Sequence, residues 1–258
     1  MSSHPRALPL VGVLACQKHR ENGSTYSRVN DVLTEQLTRY GPVAAVVIAA
    51  VRPDLAGGVL QRLDGLVLPG SGSFVHPHWY APHVDPIPGR EYDGARDNAA
   101  DELLRQAEGI PDLPVLASCR GMQELAVHHG GRLDAITPTS VQHRLRVGEH
   151  VPDRWMPAHS VEVRPGGILA ELTEPTYPAV EVNSQHSDRV AEVPHDVRIE
   201  AVAPDGVIEA ISVGWPHRFV LGIQWHFEQR TDATPLNHRL LTAFGQRCRD
   251  RMERRPVQ

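Results

Sequence analysis

The sequence is short of cysteine. Its 258 residues hold only Cys16, Cys119 and Cys248, too widely spaced for a disulfide framework or a paired zinc motif. A reducing, cytoplasmic setting fits that usage. No stretch approaches the roughly 20 apolar residues that a membrane helix needs. The apolar run in MSSHPRALPLVGVLAC is too short for a secretory signal. A net charge of -5 and a pI near 6.3 give no basic field for nucleic acid. Repeats, low-complexity tracts, a Walker loop and a GxGxxG fingerprint are also missing. What is present is ordinary for a soluble protein: 41% apolar and 22% charged residues, in a chain long enough for a full core. No linker divides it, so residues 1–258 read as one domain.

Continuous apolar runs at Leu8–Ala15, Val43–Ala50 and Leu63–Leu68 predict strands covered on both faces, as in parallel sheets. Helical spacing over Val29–Arg39 and Asp97–Glu108 fills the intervals. The order is β, α, β, which predicts an α/β fold with a mostly parallel sheet. The later half alternates instead, at Val161–Val163, Val180–Val182, Val197–Ala203, Val207–Val213 and Phe219–Gln224, and reads as a β-meander added to the same sheet. Leu236–Arg255 predicts a closing helix whose arginines, Arg247, Arg249, Arg251, Arg254 and Arg255, form a solvated end. Pro69-Gly70-Ser71-Gly72-Ser73 lies at a strand's carboxyl end, where open α/β sheets bind ligands. The loop His76–Arg96 is long enough to suggest a functional role. Its His76, His78 and His83 lack the carboxylate or thiolate that would complete a usual metal site.

Two stretches carry chemistry. In PVLASCRGMQELAVHHGGRL, Pro114–Leu133, a buried strand turns sharply into a helix, with Met122, Leu125, Ala126 and His129 on one helical face. Cys119 stands in the turn, where the helix N-terminus favours a thiolate and Gly121 admits a tight backbone. This is the nucleophile-elbow pattern with sulfur for oxygen. The stretch alone fits a buried structural thiol equally well. In VLGIQWHFE, Val220–Glu228, an extended segment would point His226 and Glu228 to one side. Glu228 could then orient the ring and favour its protonated form, leaving the other nitrogen to exchange a proton with Cys119. Taken alone, this stretch would be a surface histidine beside a surface glutamate.

The chain resembles the class I glutamine amidotransferase superfamily, and within it the γ-glutamyl-γ-aminobutyrate hydrolase (peptidase C26-like) branch. The nucleophile pattern P-[IV]-L-G-I-C-R-G-x-Q-x-x-N-V-x-x-G-G-x-L matches Pro114–Leu133. The glycine-rich loop with V-x-P-x-x-Y matches Gly70–Tyr80, and an R-D pair matches Arg96-Asp97. V-N-S-x-H matches Val182–His186, D-G-x-x-E-A matches Asp205–Ala210, and G-V-Q-W-H-P-E matches Gly222–Glu228. Six ordered matches leave little room for coincidence. Departures stand at Ser71, Phe74, Ala117, Ala126, Gln185, Ser187 and Phe227.

The resemblance implies a three-layer α/β/α sandwich around a largely parallel, flavodoxin-like sheet. It implies a Cys119–His226–Glu228 triad, backbone N–H groups of Ser71 and Arg120 as oxyanion hole, and Gly70, Gln123, Ser184 and His186 around the substrate. The implied reaction is cleavage of a γ-glutamyl amide through a thioester, with no metal and no organic cofactor. The alternative is a glutaminase that delivers ammonia to a synthase partner. A binding scaffold of the same fold fits poorly with a complete triad. Expected partners are a small γ-glutamyl molecule and no nucleic acid or membrane, and a homodimer is an allowed assembly. Phe74, Trp79 and Tyr80 are expected to wall the amine side, and Phe74 would favour a less polar amine than γ-aminobutyrate.

Overall fold

The computed structural model describes residues 7–50, 52–137, 141–144, 154–173 and 179–255. The five apolar runs that carry the parallel region are β1 (Leu10–Leu14), β4 (Ala44–Ile48), β5 (Gly65–Leu68), β6 (Val115–Ser118) and β13 (Val220–Ile223), side by side in the order β4-β1-β5-β6-β13. Every pairing between neighbours in that row is parallel. Helices cover both faces. Leu66 and Leu68 of β5 face one apolar cluster with Leu60, Leu103, Met122 and Leu125, while Val67 faces another with Leu33, Leu37, Leu240 and Phe244. Thus α2 (Ala56–Leu60), α3 (Gly94–Glu108) and α4 (Arg120–His128) form one layer. On the other side lie α1 (Asp31–Tyr40), α5 (Ile168–Leu172) and α6 (Pro235–Arg254). Each fully buried Leu or Val of these layers stabilises the fold by about 1.5–3 kcal/mol.

The antiparallel part continues the sheet from β13 through β12 (Ile208–Val213), β11 (Val197–Val202), β8 (His159–Val163) and β9 (Ala179–Val182). β10 (Asp188–Glu192) pairs with both β12 and β7 (Arg132–Ala135). A hairpin of β2 (Cys16–His19) and β3 (Thr25–Arg28) stands apart.

Three expectations need correction. β4 is an edge strand rather than an interior one: Val46 and Val47 are 42% and 51% exposed. Its apolar run reflects β propensity more than two-sided cover. The basic end of α6 is only partly solvated. Arg251 is buried, donates to the Leu63 carbonyl at 3.2 Å and pairs with Asp112, while Arg255 lies 3.2 Å from the buried Asp64. Finally, β13 ends at Ile223, so His226 and Glu228 stand in a loop and turn rather than an extended strand. Among the described residues no helix is long and apolar enough to cross a membrane.

Candidate active site

β5, β6 and β13 are neighbours in the sheet, and the segments leaving their carboxyl ends converge. The Cys119 N–H donates to the Ile223 carbonyl at 2.8 Å, so the turn after β6 is fastened to β13. Cys119 adopts φ 50° and ψ -111°, a conformation rare for a residue with a Cβ. Such a residue costs about 1–3 kcal/mol and persists only when its surroundings hold it. Here α4 begins at the next residue and presses against β5. A methyl at Gly121 would overlap the Leu68 carbonyl, so only glycine allows that approach. The first N–H groups of α4, from Arg120 on, have no carbonyl one turn back to bond, and Cys119 stands at the cap of that helix with no side-chain cap bond. Cys119 itself is 5% exposed.

His226 is fixed at its main chain and at its ring. Asn183 clamps the main chain twice, donating to the His226 carbonyl and accepting from the His226 N–H, both at 2.9 Å. Nδ1 lies 2.7 Å from Glu228 Oε1, which leaves Nε2 for the thiol. Trp155 lies against the ring, with centroids 4.8 Å apart. A methyl on Gly70 would sit 2.7 Å from His226 Cε1 and 3.3 Å from Cys119 Cβ, so the glycine-rich loop passes directly over both side chains. Burial disfavours a charged ring, but the Glu228 carboxylate and the hydrogen-bonded Cys119 sulfur outweigh it and push the His226 pKa up to about 10. Two groups far apart in sequence therefore favour an imidazolium beside a sulfur.

A buried ionic lattice supports the glycine-rich loop. Arg96, in the first turn of α3, makes a fork to Glu124 at 2.9 and 3.0 Å, reaches Cys16 Sγ at 3.0 Å and donates to the Pro69 carbonyl. Arg120 pairs with Asp97 at 2.6 Å, also with Glu124, and donates to the Phe74 carbonyl at 3.1 Å. Asp97 accepts the His76 N–H at 3.1 Å. The Gly70 N–H donates to Ser118 Oγ at 3.2 Å. Both ends of the loop are thus tied to the strand and helix that flank Cys119.

The pocket next to Cys119 is walled by Ser71, Ser73, Phe74, Gln123, Arg144 and the segment Gln185–Asp188, among others. Of the expected substrate contacts, His186 and Gln123 face it. Gln123 also uses its amide to donate to the Asp188 carbonyl at 2.9 Å and to Gln224 at 3.3 Å. Ser184 does not line the pocket, and its hydroxyl donates to the His143 carbonyl at 2.7 Å. Gly70 does not line the pocket and packs against His226 and Cys119 instead. The expected apolar wall shrinks to Phe74. Trp79 lines a different crevice with Val75 and Val127, and both it and Tyr80 pack on the core. The Phe74 ring is itself covered by the Arg90 guanidinium, 4.1 Å from its centroid, and Arg90 pairs with Asp188 at 2.7 Å. The rim is therefore largely polar. Asn183 falls inside the V-N-S-x-H match, but nothing near it in sequence signals its clamp, because its partner lies 43 residues away.

The family model for peptidase C26 matches residues 9–228. The chain belongs to the peptidase C26 family. It is 34% identical over 243 residues to the gamma-glutamyl-gamma-aminobutyrate hydrolase of Escherichia coli, with 93% of each chain covered. A Mycobacterium tuberculosis protein provisionally named as a glutamine amidotransferase is 34% identical over 211 residues, covering 81% of this chain and 65% of that one. Among solved structures, a Thermoplasma acidophilum protein provisionally assigned to GMP synthase superposes with a TM-score of 0.62 at 16% identity. The superposition covers 96% of this chain and 98% of that one, so the fold is shared. Three departures of this C26 chain from its family pattern sit in the packed core, while Ser71, Phe74, Gln185 and Ser187 wall the pocket. Phe227 is fully buried in the core with Trp225, and Ala117 and Ala126 fill the opposite cluster.

Proposed function

We propose that this C26 enzyme hydrolyses a γ-glutamyl amide, with Cys119 as nucleophile, His226 as acid and base, and Glu228 as its orienting carboxylate. The observation that carries the reading is the Cys119 turn: a strained backbone at a helix N-terminus, with a ring raised to about 10 beside the sulfur. The His226 Nε2 proton and the Cys119 sulfur form the reactive pair. Sulfur attacks the γ-carbonyl carbon, and the Arg120 and Ser71 N–H groups hold the oxyanion. His226 protonates the nitrogen as the C–N bond breaks, and the amine leaves. A γ-glutamyl thioester remains on Cys119. Water loses a proton to His226, attacks the thioester and releases glutamate and the thiolate. The name of the Escherichia coli relative makes γ-glutamyl-γ-aminobutyrate the first substrate to test.

Glutamate release from a panel of γ-glutamyl amides, measured on the protein alone, tests the proposal. An N-substituted amide should exceed glutamine in kcat/KM, and intact-mass spectrometry should catch a γ-glutamyl adduct on Cys119. Cys119→Ala should reduce turnover by at least about a thousandfold with the fold intact, whereas Cys16→Ala should remain active. Turnover by Cys119→Ala sinks the mechanism. Glutamine as the best substrate, or activity only with an added partner, selects the glutaminase reading that amidotransferase-named relatives would favour.

A further inference from the structure

Beside the thiol pocket, four segments bring three histidines to one carboxylate. His143 lies in the described segment 141–144, His159 opens β8, His186 stands between β9 and β10, and Glu209 is in β12. His143 Nδ1, His159 Nε2 and His186 Nε2 point at Glu209 Oε1 from 3.3, 3.4 and 3.3 Å. All four residues are buried, with exposures of 3%, 8%, 4% and 0%. None of the three nitrogens, and neither Glu209 oxygen, makes a hydrogen bond of acceptable geometry. The mechanism uses none of these contacts.

The outer nitrogens explain the inner ones. His143 Nε2 is 3.0 Å from Asp205 Oδ2, His159 Nδ1 is 3.0 Å from the Gln142 carbonyl, and His186 Nδ1 is 3.0 Å from the Asp188 carbonyl. Each of those partners is an acceptor, so each ring donates outward. In the neutral tautomer its inner nitrogen is then a bare lone pair facing a carboxylate, which repels it. Positive charge at the centre relieves this. Doubly protonated rings would place imidazolium groups against one another, with centroids 4.7 Å apart for His143–His159 and 4.9 Å for His143–His186. A divalent cation needs no such contact, and it balances the charges of Glu209 and Asp205.

The spacing also fits. Two donors each about 2.1 Å from a tetrahedral zinc stand about 3.4 Å apart, whereas a charge-assisted hydrogen bond would close to about 2.8 Å. The inner atoms of His143, His186 and Glu209 all lie within 4.8 Å of one another. An outward carboxylate or carbonyl on every ring is the support that ligating histidines have. Imidazole-rich donors select zinc or its transition-metal neighbours over magnesium or calcium.

We propose that His143, His186 and Glu209 bind a divalent transition-metal ion, zinc foremost, with His159 as the adjoining fourth donor. The site is closed and structural. It ties the segment that carries His143 and Arg144 to β12 and to the stretch Gln185–Asp188; Arg144 and that stretch both wall the thiol pocket. The His143 carbonyl, which accepts from the His186 N–H at 2.9 Å and from Ser184, is the covalent neighbour of that tie.

Metal content and a titration test this without an activity assay. Cys119→Ala protein removes the one thiol that would compete for zinc in the pocket. Stripped with a chelator, it should take up about one equivalent of Zn²⁺ and gain thermal stability as it does. Co²⁺ should give the strong visible absorption of a four-coordinate ion. Glu209→Gln and His186→Asn, each in that background, should lose the Co²⁺ band, and Asp205→Asn should weaken binding about 10- to 100-fold. His129→Asn should leave it unchanged, since Glu108, His128 and His129 form the other such cluster among the described residues and its Glu108 is exposed. No uptake and no change in Tm by the Cys119→Ala protein would overturn the proposal, whether or not the Glu209 variant folds. So would uptake that survives Glu209→Gln or disappears with His129→Asn.

Discussion

At the scale of single residues, the His226 ring decides the pH response. Its folded pKa, about 10, lies above the ordinary histidine value of 6.5. The charged ring's contribution to stability is therefore complete below about 6.5 and is lost as pH rises toward 10. The same proton is the one given to the leaving amine, so kcat/KM for amide cleavage should fall on its basic side near pH 10. Glu228→Gln removes the largest influence that raises the ring. The basic limb should move to lower pH, and the rate at pH 7 should drop without complete loss, because the amide still holds the ring through a hydrogen bond. A profile identical to the parent would make Glu228 a bystander. Iodoacetamide labelling across the same pH range checks the assignment independently, since Cys119 should react faster than Cys16 or Cys248, both also buried.

Between residues and the whole lie the elements, where the glycine-rich loop and the start of α4 set the geometry. Gly70→Ala should reduce kcat far more than it reduces Tm, because the added methyl meets the His226 side chain at 2.7 Å and pushes the base off the sulfur rather than prying apart the sheet. Gly121→Ala should instead lower Tm or abolish folding, because its methyl meets the Leu68 carbonyl, which a sheet strand cannot move. Equal loss of stability in both variants would contradict this division. Much of this level was legible in the sequence. The apolar runs gave the parallel strands, and the strand–Cys–helix pattern located the elbow, because both are local periodicities. What stayed hidden was non-local. Nothing near Arg251 announces Asp112, 139 residues away, and nothing near Asn183 announces His226. The exposed valines of β4 misled for a related reason, since an edge strand and a central one share the same propensity. His143 carried no signal at all, for its partners lie on β12 and beside β10.

For the molecule as a whole, the order of strands in space departs from their order along the chain. β13 lies between β6 and β12, at the junction of the parallel and antiparallel regions, yet it follows all the other strands in sequence. The amides of Val115 and Cys119 donate to Phe219 and Ile223, at the two ends of that strand. A ribosome making this chain must deliver two unfinished half-sheets before it delivers the strand that joins them. Until then β6 and β12 each present an open edge, and the thiol has neither its base nor the backbone anchor of its turn. Pulse-labelled hydrogen exchange during refolding should show Val115 and Cys119 becoming protected together with β13. Protection of those two amides ahead of it would mean that the parallel half closes alone. The position of one strand thus withholds from Cys119 both its base and the anchor of its turn until the last strand of the sheet has been made.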